Sequence, residues 1–183
     1  MFRFPTPDNA TFVMIDMQQK LLPAMHNSDA VLARMGLLVD GLNALDVPMV
    51  VTEQYPAGLG ATAPELADRL PEYTPVLSKT EFSCFGAAGF EAALDLAARP
   101  VLILAGIEAH VCVQQTALDA LARGFQVLLP FDGVSSRRAP EAEHALANLR
   151  GLGCGVYSVE ALLFLLLRRA GHPAFKTISR LVR

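Results

Sequence analysis

One stretch near the middle of the chain, residues 101–124 (VLILAGIEAHVCVQQTALDALARG), constrains the fold more than any other. It begins with an unbroken apolar run, Val101 to Ala105, which is typical of a strand buried on both faces of a parallel sheet. Gly106 is predicted to end this strand, and a tight turn follows. From Cys112 to Gly124 the apolar residues recur at helical spacing. The sequence therefore predicts that a buried strand passes into a helix here.

Cys112 is expected at the junction between this strand and this helix. Such a position lies close to the unpaired N–H groups of the helix, which lower the pKa of a thiol and stabilise a developing oxyanion. A structural role is the alternative, because a free cysteine commonly packs as a small hydrophobic residue. Position alone favours neither interpretation.

The rest of the chain repeats this alternation of strand and helix patterns. Strands are predicted at 11–15, 47–52, 75–78, 125–131 and 154–157, and helices at 29–45, 90–98, 141–149 and 159–170. Strands that alternate with helices form parallel βαβ units. We therefore expect an α/β fold of three layers, α-β-α, around a doubly wound and mostly parallel sheet. Residues 53–75, rich in Pro, Gly and Ala, are predicted to form one long irregular loop, and such loops are usually functional.

Composition narrows the class of protein. The 183 residues are 52% hydrophobic with a net charge of −3, which predicts a single domain over 1–183 and disfavours a nucleic-acid partner, since nucleic-acid binding needs a basic face. Three scattered cysteines and the lack of a signal peptide favour the cytoplasm. The longest strongly apolar stretch is too short to cross a membrane. A small-molecule substrate is expected, and the apolar helix at 159–170 suggests a homo-oligomer of two or more subunits.

Three reactive side chains are predicted at the carboxyl ends of strands: Asp16 after the first, Lys79 after the third and Cys112 just past the fourth. In open α/β sheets, sites form outside these strand ends. Together the three groups suit acyl transfer. The carboxylate takes the thiol proton, the ammonium stabilises the negative charge, and the thiolate attacks a carbonyl. A single Asp or Lys at a strand end is more often a cap or a surface charge. Three reactive residues at one sheet edge are a more specific sign of a catalytic site.

Four motifs carry a resemblance to a known family: VMIDMQ at 13–18, SKTEFSCFG at 78–86, GIEAHVCVQQTALDA at 106–120 and DGVSSR at 132–137. From about Thr11 to Glu160 the chain resembles the isochorismatase-like cysteine hydrolase superfamily, which includes nicotinamidases, carbamoylsarcosine amidases and isochorismatases. The resemblance implies a Rossmann-like, isochorismatase-like hydrolase fold and a catalytic triad of Cys112, Asp16 and Lys79. It also implies a cis peptide between Ile107 and Glu108, and an oxyanion hole formed by the backbone N–H groups of Glu108 and Cys112.

Two departures from the family's patterns narrow the expected activity. Nicotinamidases bind a metal through histidines after the second strand, but this chain has TEQYPAGLG at 52–60 and no histidine between His26 and His110. No metal and no other cofactor is therefore expected. Isochorismatases proper cleave a vinyl ether and lack the nucleophilic cysteine, which this chain has at Cys112. The segments TEQYPAGLG and PAFKTIS most resemble the isochorismatase domain-containing proteins.

The sequence thus predicts a cysteine hydrolase that cleaves a small-molecule amide or a related C–N bond through an acyl-enzyme on Cys112. Three alternatives remain: a non-catalytic protein that retains the fold, a thiol-redox protein that uses Cys84 with Cys112, and a vinyl-ether hydrolase of the isochorismate type. Gln18, Tyr55 and Phe82 lie on loops that lead to the same sheet edge and are predicted to line the substrate pocket. His110 is too close to Cys112 in the chain for their side chains to converge readily.

Overall fold

A central sheet of parallel strands organises the computed structural model, which describes residues 3–183. Within these residues there are seven strands: β1 (Ala10–Ile15), β2 (Met49–Gln54), β3 (Val76–Lys79), β4 (Val101–Ile107), β5 (Gln126–Pro130), β6 (Val134–Ser135) and β7 (Gly155–Tyr157). Eight α-helices are described in the same range: α1 (Ser28–Asn43), α2 (Pro56–Leu59), α3 (Pro64–Ala67), α4 (Phe90–Ala97), α5 (Gln114–Ala122), α6 (Ala139–Gly151), α7 (Val159–Leu167) and α8 (Phe175–Leu181).

The strand order is β3-β2-β1-β4-β5-β7, with β6 beside β4, and every pair of these strands is parallel. The chain crosses from β1 to β2 in one direction and from β4 to β5 in the other. Right-handed crossovers therefore place α1 and α5 on opposite faces of the sheet. Every residue of β1 and β4 is buried, as expected for strands covered on both sides. The predicted doubly wound α/β fold is confirmed.

The strand that carries the central motif is longer than predicted, because Gly106 does not end it. Gly106 donates its N–H to the carbonyl oxygen of Gly133 at 3.0 Å and pairs with Val134 of β6, so β4 runs on to Ile107. A Cβ at Gly106 would lie 2.0 Å from the carbonyl oxygen of Ile15. Only glycine therefore allows β1 and β4 to come so close here.

The helix after β4 also begins earlier than predicted. The chain enters a π-helical segment, Ala109–Val113, before it continues as α5, so Cys112 lies inside helical structure rather than at its first residue. The loop predicted at 53–75 is also shorter and more ordered than expected. It begins after Gln54 of β2 and contains α2 and α3.

Besides α2 and α3, β6 and α8 were not predicted. β6 has only two residues, too few for a pattern to be visible. α8 buries Ile178 among charged and polar neighbours, so its apolar spacing is weak. Both elements are held by contacts with distant segments, β6 with β4 and α8 with α1 and α7.

The apolar helix α7 owes its composition to packing inside the chain. Its buried residues are Val159, Leu162, Leu163, Leu166 and Leu167, and it contacts α1, α8 and β7. This helix therefore no longer supports self-association, and the homo-oligomer stays a prediction. Among the described residues, every helix falls short of the length and apolar character needed to cross a bilayer.

α1 and α7 pack closely at Gly41. A Cβ added there would lie 2.6 Å from both δ-methyl carbons of Leu163, whose side chain is fully buried. We expect Gly41→Ala to lower the free energy of unfolding by about 1–3 kcal/mol, because an overpacked core pair has little room to relax. Denaturant unfolding of wild type and variant measures the change.

Gly36→Ala in the same helix is the matched control. A Cβ there meets Nε of Arg69 at 3.3 Å, and this long side chain is about half exposed, so a small shift accommodates the added methyl group. Alanine favours a helix interior over glycine by about 1 kcal/mol. Gly36→Ala should therefore leave the stability unchanged or raise it. Equal losses in the two variants would contradict close packing between α1 and α7.

Candidate active site

The strand order creates a crevice between the ends of β1 and β4. The chain leaves β1 towards one edge of the sheet and β4 towards the other, and ligands bind outside the carboxyl ends of strands at such a switch point. Asp16 directly follows β1, and Cys112 lies in the π-helical segment after β4. Lys79 is the last residue of β3, on the far side of β2.

Asp16 and Lys79 form a buried ion pair. Nζ of Lys79 donates to Oδ2 of Asp16 at 2.6 Å, and neither side chain is exposed to solvent. The hydroxyl of Thr52 on β2 donates to the other carboxylate oxygen, Oδ1, at 2.9 Å. Burial raises the pKa of Asp16, whereas the Lys79 ammonium and the hydrogen bonds to the carboxylate act in the opposite direction. The carboxylate is thus fixed in orientation and is a stronger base than an exposed one.

The ammonium of Lys79 has all three of its N–H donors engaged. Besides Asp16, it donates to Oε1 of Gln54 at 2.7 Å and to the carbonyl oxygen of Phe82 at 3.2 Å. An ammonium has three donors and no acceptor. Lys79 therefore acts on the site through its charge and its hold on Asp16.

The thiol of Cys112 lies against this pair and is 5% exposed. Burial, and then the negative charge of Asp16, raise its pKa to about 12, and the Lys79 ammonium opposes the rise without cancelling it. The lowered thiol pKa predicted from the strand-to-helix position is therefore wrong. Burial and the neighbouring carboxylate outweigh the ammonium and the helix. With a pKa so far above neutral, the thiol of the resting site is protonated at pH 7.

The backbone around Cys112 has an unusual course. The peptide bond between Ile107 and Glu108 is cis, as the resemblance implied. The next turn is closed by the N–H of Val113, which donates to the carbonyl oxygen of Glu108 at 3.2 Å. Cys112 thus lies in the first turn of a helical segment, where backbone N–H groups lack partners within the helix.

The side chain of Glu108 ties this turn to the DGVSSR segment. Its Oε2 accepts from the backbone N–H of Arg137 at 3.0 Å and from Nε of Arg137 at 3.1 Å. Nδ1 of His110 lies 2.9 Å from the hydroxyl oxygen of Ser136 in the same segment. His110 is thus engaged by Ser136, and the structure gives no support to a Cys–His dyad.

Two buried threonines were not identified from the sequence. Thr52 bridges Asp16 and Cys84, with its Oγ1 3.5 Å from Sγ of Cys84. Thr116 accepts from the N–H of Cys84 at 3.0 Å and donates to the carbonyl oxygen of Cys112 at 2.7 Å. Thr116 stands four residues after Cys112, the spacing at which a helical hydroxyl reaches back to a carbonyl. That spacing was the available signal.

Cys84 lies beside the site. It is fully buried, and burial raises the pKa of its thiol to about 11. Its full burial keeps oxidants and other thiols in solution away from the sulfur. This environment weighs against the thiol-redox alternative.

The three residues predicted to line the pocket have different environments. Gln18 is fully buried and donates to the carbonyl oxygens of Gln54 and Gly60 at 3.0 and 2.6 Å, so both of its N–H donors are used by the protein. The structure thus assigns Gln18 to holding the loop instead of contacting a substrate. Tyr55 and Phe82 are 58% and 52% exposed and adjoin Lys79 through backbone hydrogen bonds, at the rim of the site. Their role as a pocket lining stays a prediction.

Within residues 3–183, no group of three or more His, Cys, Asp or Glu side chains is placed to hold a metal ion. Glu53, the acidic residue of β2, is engaged by Thr62. Its Oε1 accepts from the N–H and the hydroxyl of Thr62 at 2.7 and 2.8 Å. Independence from metals and cofactors stays a prediction.

Comparison with known proteins identifies the class. Residues 10–161 match the family model described as Isochorismatase domain. Isochorismatase domain-containing protein 2 of Bos taurus is 39% identical over 181 residues, which cover 97% of this chain and 84% of that protein. Isochorismatase domain-containing protein 1 of Salmo salar is 36% identical over 97% of this chain, but the match spans only 62% of that longer protein.

A solved structure has the same fold over nearly the whole chain. The structure described as that of MAR1 ribonuclease from Caenorhabditis elegans has a TM-score of 0.93 and 35% sequence identity, and the match covers 98% of this chain and 92% of that one. This chain therefore belongs to the isochorismatase family and has the isochorismatase-like α/β fold.

The two charges beside Cys112 should change its reactivity in opposite directions. Asp16 raises the pKa of the thiol and Lys79 lowers it. We therefore expect Asp16→Asn to speed alkylation of Cys112 by a neutral reagent such as iodoacetamide, and Lys79→Met to slow it, each by about tenfold or more at pH 8. Alkylation at position 112, followed by peptide mass spectrometry from pH 7 to 10, measures both rates.

Lys176→Met is the control for the loss of a positive charge, because Lys176 is an exposed residue of α8. In this variant, Cys112 should be alkylated at the wild-type rate. Rates that are the same in wild type, Asp16→Asn and Lys79→Met would show that neither charge acts on the thiol.

Proposed function

We propose that this protein is a cysteine hydrolase that cleaves a small-molecule amide or a related C–N bond through an acyl-enzyme on Cys112. The observation that carries this function is a buried thiol whose pKa is governed by a neighbouring carboxylate, which a buried ammonium holds in place. A nucleophile, its base and a group that orients the base are the parts that covalent acyl transfer requires.

The raised pKa of Cys112 determines how the attack begins. Because the resting thiol is protonated, the proton passes to Asp16 as sulfur bonds to the carbonyl carbon, and no free thiolate precedes the attack. The raised pKa of Asp16 makes its carboxylate a better acceptor for this proton. Lys79 then compensates the negative charge that moves from the carboxylate to the sulfur and the substrate oxygen.

The remaining steps reuse the same groups. The carbonyl electron pair moves onto oxygen, where the backbone N–H groups of Glu108 and Cys112 form the proposed oxyanion hole. The tetrahedral intermediate collapses as the C–N bond breaks, and Asp16 returns its proton to the leaving nitrogen. Water, deprotonated by Asp16, then attacks the thioester, and the sulfur leaves and recovers the proton from Asp16.

A small substrate fits this site better than a polymer does. Cys112, Asp16 and Lys79 are each at most 5% exposed, so little room is open to a large chain. The worm protein named above is described as a ribonuclease, but this chain has a net charge of −3, and RNA binding depends on a basic surface. We infer that the substrate is a small acyl compound with a nitrogen leaving group.

Cys112→Ala should abolish turnover of any amide that wild type hydrolyses, with a loss of more than about 10³-fold in kcat, because the covalent intermediate no longer forms. The measurement is ammonia or amine release from a panel of aliphatic amides, aromatic amides and N-carbamoyl compounds. Cys154→Ala, which replaces another buried cysteine, is the control and should keep turnover within about threefold of wild type.

A short single-stranded RNA is assayed beside the amides. Amide turnover that survives in Cys112→Ala would show that another group attacks. RNA cleavage by wild type but not by Cys112→Ala, without turnover of any amide, would replace the amidase with a nuclease that uses the same thiol.

A further inference from the structure

Gln54, the third residue of the TEQYPAGLG segment, contacts the Lys79 ammonium, a contact that the sequence analysis did not predict. It is the last residue of β2, as Lys79 is of β3, and the two are paired in the sheet register. Oε1 of Gln54 accepts from Nζ of Lys79 at 2.7 Å, and its Nε2 donates to the carbonyl oxygen of Thr80 at 2.7 Å. Because Thr80 offers an acceptor, the amide nitrogen must face it, and the oxygen must face the ammonium.

The backbone of Gln54 is held equally firmly by Gln18. Oε1 of Gln18 accepts from the N–H of Gln54 at 2.8 Å, and Nε2 of Gln18 donates to the carbonyl oxygen of Gln54 at 3.0 Å. The second N–H of the same nitrogen binds the carbonyl oxygen of Gly60 at 2.6 Å. Gln18 is buried only two residues after Asp16. Gln54 is thus fixed on both its backbone and its side chain.

The chemistry of an amide oxygen suits this position. An aliphatic side chain would leave one N–H of a buried ammonium without an acceptor, which costs about 1–3 kcal/mol or more. A carboxylate would compete with Asp16 for the positive charge of Lys79. A neutral oxygen satisfies the third donor and leaves the charge to act on Asp16 and Cys112.

We propose that Gln54 is a positioning residue for acyl transfer: it holds the Lys79 ammonium against Asp16 and keeps a second negative charge away from it. This role rests on the proposed cysteine hydrolase function. The other titratable groups that face the ammonium are Asp16, Cys112, Cys84 and the exposed Glu81. Glu53 is bound to Thr62.

Gln54→Glu tests the charge at this position with little change in shape. The added carboxylate draws the ammonium from Asp16 and disfavours the anionic thiolate, so alkylation of Cys112 at pH 8 should slow by about tenfold. With an amide substrate, kcat should fall by about tenfold or more while KM changes by less than about threefold, because Gln54 acts through Lys79 and does not touch the substrate.

Gln126→Glu is the matched control. The Gln126 side chain is likewise held through both its oxygen and its nitrogen, accepting from the N–H of Arg3 at 2.7 Å and donating to the carbonyl oxygen of Arg3 at 2.8 Å. It lies at the first residue of β5, at the opposite end of the sheet from the site. In Gln126→Glu, Cys112 should be alkylated at the wild-type rate. A similar slowing in both variants, or none in Gln54→Glu, would overturn the proposal.

Gln54→Met removes the acceptor without adding charge. It should lower kcat by about tenfold and leave KM nearly unchanged, whereas a raised KM with wild-type kcat and a lowered melting temperature would indicate a loop anchor and overturn the proposal. Should Gln54→Met fail to fold, Gln54→Glu decides alone. The alkylation assay needs no substrate, so an absence of amide turnover in wild type overturns the hydrolase function and still leaves the role of Gln54 measurable.

Discussion

The buried ion pair between Asp16 and Lys79 is the interaction on which the rest of the site depends. It joins the end of β1 to the end of β3 across β2, with 2.6 Å between the charged atoms and no solvent exposure on either side chain. Such a pair adds little net stability, because the cost of desolvating both charges offsets their attraction. Removing one partner is costly, however, since about 3–5 kcal/mol is lost when a buried charge is left unpaired. The pair is thus better explained by chemistry than by stability.

The same ion pair influences the pKa of the Cys112 thiol. The Asp16 carboxylate raises the pKa of the Cys112 thiol, and the Lys79 ammonium opposes this rise without cancelling it. A thiol that is protonated at neutral pH resists oxidation and unselective alkylation. In the proposed mechanism, reactivity depends on a substrate whose carbonyl carbon accepts the sulfur as Asp16 accepts the proton.

The sequence predicted the fold well because buried parallel strands have an unambiguous pattern. Runs such as Val101 to Ala105 identified the strands, and their alternation with helices implied the doubly wound sheet. The rule that sites form at strand ends then predicted that Asp16, Lys79 and Cys112 lie at one edge of the sheet. The contacts between their side chains depend on positions in space, which the sequence does not give.

The errors have physical causes that a local pattern does not contain. Gly106 was expected to end β4, but the close approach of Ile15 is a tertiary contact and keeps it in the strand. The thiol pKa was predicted from the helix alone, while burial and Asp16 dominate it. Thr52 and Gln54 were missed because common polar residues carry no signal until their partners are known. Thr116 had a signal only in its four-residue spacing from Cys112. Gln18 was placed at the correct edge, but its amide serves the loop.

The most direct test of the mechanism is to trap the covalent intermediate. Wild-type protein is mixed with an amide that it hydrolyses, and the reaction is quenched in acid within milliseconds to seconds. The protein is then digested, and the mass of the peptide that contains Cys112 is measured by mass spectrometry. The mechanism predicts that this peptide gains the mass of the acyl group, and that Asp16→Asn gains it far more slowly although its thiol alkylates faster. An acyl group found on Cys84 instead, or turnover without any adduct at Cys112, would contradict the assignment of Cys112 as the nucleophile.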